Sequence, residues 1–401
     1  MIRDKLDRFS SQITGSNRNM NISKIPQRYR IAADTLGGEL LSAPGGAFLK
    51  ITANFPETHS QGFKSIGRFD PKLLRFEHFA NGIESGSLPS EKLLFFDMET
   101  TGLGGSGTVP FLIGFGSVTP DGFQVRQYFL PDYPDEAGML EAIRGEIALD
   151  SIIVSYNGKA FDLPILIDRL ILHRIERNLE FGAHIDLLHP VRRLYKRRLK
   201  DCSLSNIERE ILGYFRHDDI PGYLVPSVYF NWLATENACD LKKVVRHNAD
   251  DIVSLFFIIH HIAEVRHNPA AAGLELDDLL SLARILEKRG EHLELGNLLT
   301  GFGDIIRTNN RHDLLFLQSL SYKRAGIFAK ALLLWEEISK GHSPESFYAK
   351  IELAKFYEHR ARDIRSALNL AYKARIECRG SYHLASELER RISRLEKKSP
   401  S

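Results

Sequence analysis

Between Lys92 and Leu130 the chain writes three apolar runs, KLLFF (92–96), PFLIGFGSV (110–118) and FQVRQYFL (123–130), separated by Gly, Thr, Pro and Asp. Runs this short, rich in Phe, Val and Ile and closed by turn residues, predict three consecutive strands. The spacing then changes. EAIRGEIAL (141–149) is apolar at helical intervals, SIIVSYNG (151–158) is a short buried strand running into a loop, and DLPILIDRLILHRI (162–175) is a further helix. Strands alternating with helices predict an α/β domain, a mixed sheet flanked by helices, over residues 91–267.

Either side of this block the pattern differs. Residues 1–90 hold short apolar segments broken by Gly-Gly pairs at 37–38 and 45–46, and predict an N-terminal region of small strands and turns with no assigned role. NPAAAG (268–273) reads as a linker, after which residues 274–401 carry Leu, Ala, Arg and Glu at helical spacing. This tail repeats itself. ARILEKRGEHLEL (283–295), QSLSYKRAGIFAKAL (318–332) and LAKFYEHRARDIRSAL (353–368) align Leu286, Tyr322 and Tyr357 at spacings of 36 and 35 residues. Ala331 matches Ala367 after one inserted residue. Such periods resemble tetratricopeptide repeats, helix pairs that bury a face only by stacking; an unrelated helical bundle is the alternative.

Composition narrows the class. Of 401 residues, 43% are hydrophobic and 26% charged, the balance of an ordinary globular protein. The formal charge of +2 comes from 53 basic and 51 acidic residues, so any attraction to nucleic acid must arise from local patches. The first thirty residues mix charges without an apolar core stretch, which argues against a secretory signal, and a cytoplasmic protein is expected. Residues 100–120 are uncharged, but Gly102, Gly104, Gly105, Gly107, Gly114, Gly116 and Pro110 argue against a continuous spanning helix. Cys202, Cys239 and Cys378 form no C-x-x-C pair and are read as reduced and structural.

Three stretches carry candidate chemistry. In FFDMETTGLGG (95–105), Asp97 and Glu99 lie two apart on a strand, so both project from one face and repel unless a cation lies between them. The alternative is that one faces solvent while the other caps the turn with Thr100 and Thr101. In SYNGKAFDLPIL, Asp162 starts a helix behind a buried strand, where its charge is favoured with or without any chemistry. In VVRHNADDIVSLFFII, His247 and Asp251 are four residues apart on one helix face, whereas Asp250 lies about a hundred degrees round from Asp251.

In order, DMETTGL on a strand, NGKAFD at the head of a helix and HNADD late on a helix resemble the motifs of the DEDD superfamily of exonucleases, which includes the proofreading nucleases and has a ribonuclease-H-like fold. HIDLLHPVRRLYKRRLKDCSLSNIEREILG and DIPGYLVPSVYFNWL, between the second and third motifs, resemble the bacterial YprB-type ribonuclease-H-like proteins, which carry a repeat-type helical tail. The likeness covers residues 90–265 well and the tail loosely. It implies that Asp97, Glu99, Asp162 and Asp251 are the four metal-binding carboxylates and His247 the general base, five catalytic residues in all. His247 precedes Asp251 by four residues, where the His-type branch uses five, so its part as a base is open.

Carboxylates gathered at one point need cations, and oxygen-only ligands favour two Mg²⁺ or Mn²⁺ ions over zinc. Joined to this chemistry, the resemblance implies a two-metal 3′–5′ exonuclease acting on single-stranded DNA or RNA, with an inactive binding scaffold as the alternative. PVRRLYKRRLK (190–200) predicts a helix with Arg192, Arg193, Lys196, Arg197 and Lys200 on one side and Leu187, Val191, Leu194, Tyr195 and Leu199 on the other. The basic side is a candidate phosphate-binding face, with Asn157 as a further contact and Tyr195 or Tyr128 for base stacking; a solvated charged face is the alternative. Asp186 is read as an acid near the site, His184 and His189 as structural. The tail is a candidate docking surface for a protein partner.

Overall fold

The computed structural model describes residues 25–75, 86–102, 107–175, 179–378 and 382–398. The first twenty-four residues and Gly104 and Gly105 of the glycine-rich break lie outside them. The chain divides into two compact units, one of residues up to Arg192 with Leu199–His267, the other of Arg193–Arg198 with residues from Asn268 on.

The first unit is built on a seven-stranded mixed sheet. Its strands are β1 (Glu39–Ala43), β2 (Gly46–Pro56), β5 (Leu93–Thr100), β6 (Pro110–Thr119), β7 (Gly122–Phe129), β8 (Ile152–Ser155) and β9 (Ala183–Asp186). A separate hairpin, β3 (Ser60–Gln61) and β4 (Lys64–Ser65), lies between β2 and β5 in the chain. The order across the sheet is β1-β2-β7-β6-β5-β8-β9. From β1 to β5 neighbours run antiparallel, while β5, β8 and β9 run parallel, so their carboxyl ends open on one edge. Loops leaving the ends of parallel strands converge there, which makes that edge the natural place for a site.

The helices of this unit are α1 (Gln27–Leu36), α2 (Glu136–Arg144), α3 (Asp162–Leu172), α4 (Leu188–Tyr195), α5 (Val225–Thr235) and α6 (Leu241–His267). The stretch from Ile252 to Ala263 in α6 is buried on every side, unlike an ordinary surface helix. Two glycines let it approach. A Cβ on Gly114 would meet Ile252 Cδ1 at 2.3 Å and Asn248 Oδ1 at 2.4 Å, and one on Gly116 would meet Ile252 Cγ2 at 2.5 Å. With hydrogen at both positions, α6 lies directly on β6 and carries the third motif to the sheet edge.

Several expectations are corrected. Residues 39–56 do not form a region apart: β1 and β2 extend the main sheet through β7, because their pairing partner lies about seventy residues downstream, beyond the reach of local pattern. The helix expected at 141–149 is α2, shifted toward the N-terminus and closed by Gly145, a poor helix former. β9 is only four residues with a polar start, and its pattern carries no strand signal. The basic helix ends at Tyr195, so Lys196, Arg197 and Lys200 lie in the turn and bend that follow.

The second unit is helical throughout its regular structure, with successive helices from Leu276–Arg289 to Tyr382–Lys398. Leu286, Tyr322, Ala331 and Ala367, four of the five aligned repeat positions, are buried, and Tyr357 packs at the edge of the same core. Gly296 sits against the Tyr322 ring, whose hydroxyl donates to its carbonyl at 2.9 Å.

Candidate functional site

On β5, Asp97 and Glu99 alternate with buried Phe96 and Met98, so both acids face the same side. Asp97 pairs across the sheet with Gly114, and that missing side chain leaves room for Asn248 of α6. Asn248 is fully buried; its amide donates to Asp97 Oδ2 at 2.7 Å and accepts from Gln127 Nε2 at 2.8 Å. Asp162 is the first residue of α3 and buried. One turn of α6 brings His247 and Asp251 to the same place, where Glu99, His247 and Asp251 each offer a ligand atom within 4.8 Å of the others.

The charges feel one another. Burial raises the Asp97 carboxyl well above the usual carboxylate range, and Asp251, Asp162 and Glu99 add to it against the Asn248 hydrogen bond. Glu99 is pushed up to about 7 by burial, with His247 and Arg216 pulling it down and Asp251 and Asp162 pushing it up. Asp162 likewise rises to about 7, from burial and then from Asp186 and Asp251, against a backbone hydrogen bond. Burial pulls the His247 imidazolium down, but Asp251, Glu99 and Asp219 outweigh it and leave its pKa above the ordinary value. A cluster that raises its own pKa values in this way is short of positive charge.

Part of the balance comes from residues the motifs did not reveal. Arg216, nearly buried, forms an ion pair with Asp251 and is held from behind by Glu208, with Nε donating to Oε2 at 2.8 Å. Glu208 in turn accepts from Ser254 of α6. His247 Nδ1 lies 2.8 Å from Asp219 Oδ1. Arg216 and Asp219 come from an irregular segment between two helices, and no period marks them; the only hint is that Asp219 opens DIPGYLVPSVYFNWL, one of the stretches that carry the family likeness, with Arg216 three residues before it.

Other candidates fall in different places. Asp186 is buried and accepts backbone hydrogen bonds from Asn157 at 2.8 Å, Lys159 at 3.2 Å and Leu188 at 3.1 Å, so it fixes the loop ahead of Asp162. Asn157 itself is exposed, in a left-handed conformation with φ 66°. His184 bonds Ser155 at 2.8 Å. Asp250 points to Arg246, 3.6 Å away. Arg192, Lys196, Arg197 and Lys200 are exposed, with no ion pair among the described residues. Arg193 is half-buried, and burial lowers its pKa with Arg289 adding to the shift. Arg198 pairs with Asp278 of the tail at 2.9 Å. The basic stretch is thus divided between the two units. Tyr128 and Tyr195 are buried and offer no face for stacking, a correction: Tyr128 is packed into the sheet core, and the Arg198 guanidinium lies over the Tyr195 ring, 5.8 Å from its centroid.

The donor set suits a divalent cation: Glu99 and Asp251 offer hard carboxylate oxygens beside the His247 imidazole nitrogen, with the Asp97 and Asp162 carboxylates electrostatically joined to them. No described helix is long and apolar enough to cross a membrane.

The sequence pattern of the RNase_H superfamily matches residues 94–263. A Bacillus subtilis (strain 168) protein, described as "Uncharacterized protein YprB", is 33% identical over 356 residues, 86% of this chain and 84% of that protein. Among solved structures, the family B DNA polymerase from the hyperthermophilic archaeon Pyrobaculum calidifontis aligns at 16% identity with a TM-score of 0.34, over 67% of this chain and 36% of that one. The chain spans only about a third of that polymerase. By the match over most of both lengths the chain belongs to the same family as YprB, and its residues 94–263 carry the pattern of the RNase_H superfamily.

Proposed function

We propose that this chain is a metal-dependent 3′–5′ exonuclease that hydrolyses phosphodiester bonds of single-stranded nucleic acid. The observation that carries the reading is the meeting of Glu99, His247 and Asp251 within 4.8 Å, electrostatically joined to Asp97 and Asp162. Asp97, Glu99, Asp162 and Asp251 would hold Mg²⁺ or Mn²⁺, two ions in the DEDD pattern. Bound there, the ions supply Lewis-acid activation of water and neutralise charge on the phosphate. His247 turns Nε2 toward Glu99 and Asp251, at 3.9 and 3.7 Å, and is placed to take a proton from the attacking water. Asn248 keeps Asp97 in one orientation, and Arg216 does the same for Asp251.

For the substrate path, Arg192 lies close enough to Tyr156 to influence its ionisation, and Tyr156 adjoins the exposed Asn157. Both Arg192 and Asn157 are contacts for a phosphate backbone in this reading. Base stacking falls to Phe215 and Tyr223, 61% and 83% exposed, on the segment that also holds Arg216 and Asp219. The tail is proposed as tetratricopeptide-like and as a docking surface for a protein partner.

One observation favours a rival, a binding scaffold without turnover: Arg216 already gives Asp251 a cation, so the site is partly neutralised by the protein itself. Incubation of the purified chain with end-labelled single-stranded DNA and RNA in Mg²⁺ or Mn²⁺ separates the two. Shortening of 5′-labelled strands one nucleotide at a time, lost in EDTA and in Asp97→Asn, supports the enzyme. Binding without shortening in either metal supports the scaffold.

A further inference from the structure

We propose that Asp219 is a positioning residue that fixes His247 in the tautomer carrying its proton on Nδ1, leaving the Nε2 lone pair turned to the carboxylate cluster. What His247 does there rests on the exonuclease reading; how it is held rests on geometry alone.

The ring makes one short contact. Nδ1 is 2.8 Å from Asp219 Oδ1, whereas Nε2 stands 3.7 Å from Asp251 Oδ2 and 3.9 Å from Glu99 Oε1, too far for a hydrogen bond. A carboxylate accepts and does not donate, so the proton of a neutral ring belongs on Nδ1. Asp219 is itself fixed. Its Oδ1 accepts from the backbone amide of Ile220 at 2.8 Å, and its Oδ2 lies 3.4 Å from Arg216 Nη1. Arg216 cannot drift, because Glu208 clamps its guanidinium in a nearly buried pocket. Arg216 Nη1 is also 3.4 Å from His247 Nδ1 and could only donate to it, which would favour the other tautomer, but that contact is longer and weaker than the 2.8 Å one to the Asp219 carboxylate. Asp219 is therefore anchored on two sides before it meets the imidazole, as an orienting group must be.

The same contact answers the spacing of the third motif. His247 is one helical turn before Asp251, on the α6 face that meets Glu99, and α6 alone leaves the ring free to turn about its own axis. The loop carrying Asp219, and not the helix, chooses which nitrogen faces the acids.

The full-length protein, chelated and held at alkaline pH so that imidazoles are neutral, is examined by ¹⁵N NMR of the imidazole nitrogens, with His247→Gln assigning the signal. His247 is expected as the Nδ1-protonated form in the wild type. In Asp219→Ala it should move toward the Nε2-protonated form, and in Asp219→Asn as well, where an amide can donate to Nδ1 while keeping the loop acceptor. On oligonucleotides, Asp219→Ala should lose about tenfold or more in kcat with KM and Mg²⁺ affinity nearly unchanged, and Asp219→Glu should recover part of it. An unchanged tautomer in both Asp219→Ala and Asp219→Asn overturns the proposal. So does a loss of Mg²⁺ affinity with the tautomer intact, which would make Asp219 a metal ligand. If the wild type degrades nothing, the exonuclease reading fails and the tautomer shift alone decides Asp219.

Discussion

Asn248 Nδ2 donates to Asp97 Oδ2 at 2.7 Å, a part-buried hydrogen bond that ties the first and third motifs, 151 residues apart in sequence. The other side of the same amide accepts from Gln127, which leaves Asn248 no freedom to flip. Replacing it by Ala takes the donor from Asp97 and one of two acceptors from Gln127 Nε2, which keeps the Val245 carbonyl at 2.7 Å. Asn248→Ala should lower stability by roughly 1–3 kcal/mol in urea denaturation and weaken Mg²⁺ binding measured by calorimetry. A variant as stable as the wild type would show that Asp97 finds another donor.

The approach of α6 to β6 predicts a second effect. Gly114→Ala would put a methyl group 2.3 Å from Ile252 Cδ1 and 2.4 Å from Asn248 Oδ1, so helix or strand must shift. Overpacking of this kind costs about 1–3 kcal/mol, and here it should also separate Asn248 from Asp97 and reduce metal affinity. Full stability with weakened metal binding would place the strain in the site alone; no change in either would contradict the contact.

The raised carboxylates give the chelated protein a particular pH dependence. Glu99 and Asp162, near 7 in the fold, return to about 4 when unfolded, so between these values the folded state holds more protons and stability falls as pH rises. His247, also raised, acts in the same direction. Salt-bridged Glu358, pulled down to about 2 by Arg394 and Lys398 against its burial, loses its contribution only at much lower pH. Buried His184 and His261, lowered to about 4 and about 3 by burial, act the other way in the same window, so the carboxylate part is read as a difference between proteins. In EDTA, the Tm of Glu99→Gln with Asp162→Asn, relative to the wild type, should climb between pH 5 and 7; a difference that falls across this window would refute the sign.

The two adjacent acids of the third motif should part company. Asp251 meets Glu99, His247 and Arg216, while Asp250 turns to Arg246. Asp251→Asn should lower Mg²⁺ affinity and abolish oligonucleotide turnover with the fold intact; Asp250→Asn should keep most of both. The opposite ranking, read from turnover of the two purified variants side by side, would move the ligand to Asp250.

Phe215 and Tyr223 should matter to substrate and not to metal. Each Ala substitution is expected to weaken single-stranded oligonucleotide binding by about 1–3 kcal/mol in fluorescence anisotropy, with Mg²⁺ affinity unchanged. Arg192→Ala should instead reduce the dependence of binding on salt, since a phosphate contact releases counterions. If Phe215→Ala and Tyr223→Ala bind as tightly as the wild type, stacking lies elsewhere.

By itself the sequence determined what local periodicity can carry. The runs ending at Phe96, Val118 and Leu130 are strands because β-branched and aromatic residues fill a pleated surface, and the D-x-E pair shares a face because a strand alternates. The His247–Asp251 face followed from 3.6 residues per turn, and the apolar side of the basic stretch, Val191, Leu194, Tyr195 and Leu199, is buried as its spacing indicated. Tertiary structure decided the rest, because the causes are far apart in the chain. Strands β1 and β2 join the sheet through a partner near residue 125, Gly114 matters only because Ile252 lies against it, and Tyr128 is hidden by neighbours no window contains. Arg216 and Asp219 stand in irregular backbone, where no period marks a residue, and acquire meaning only when packing brings the guanidinium onto Asp251 and the carboxylate onto His247.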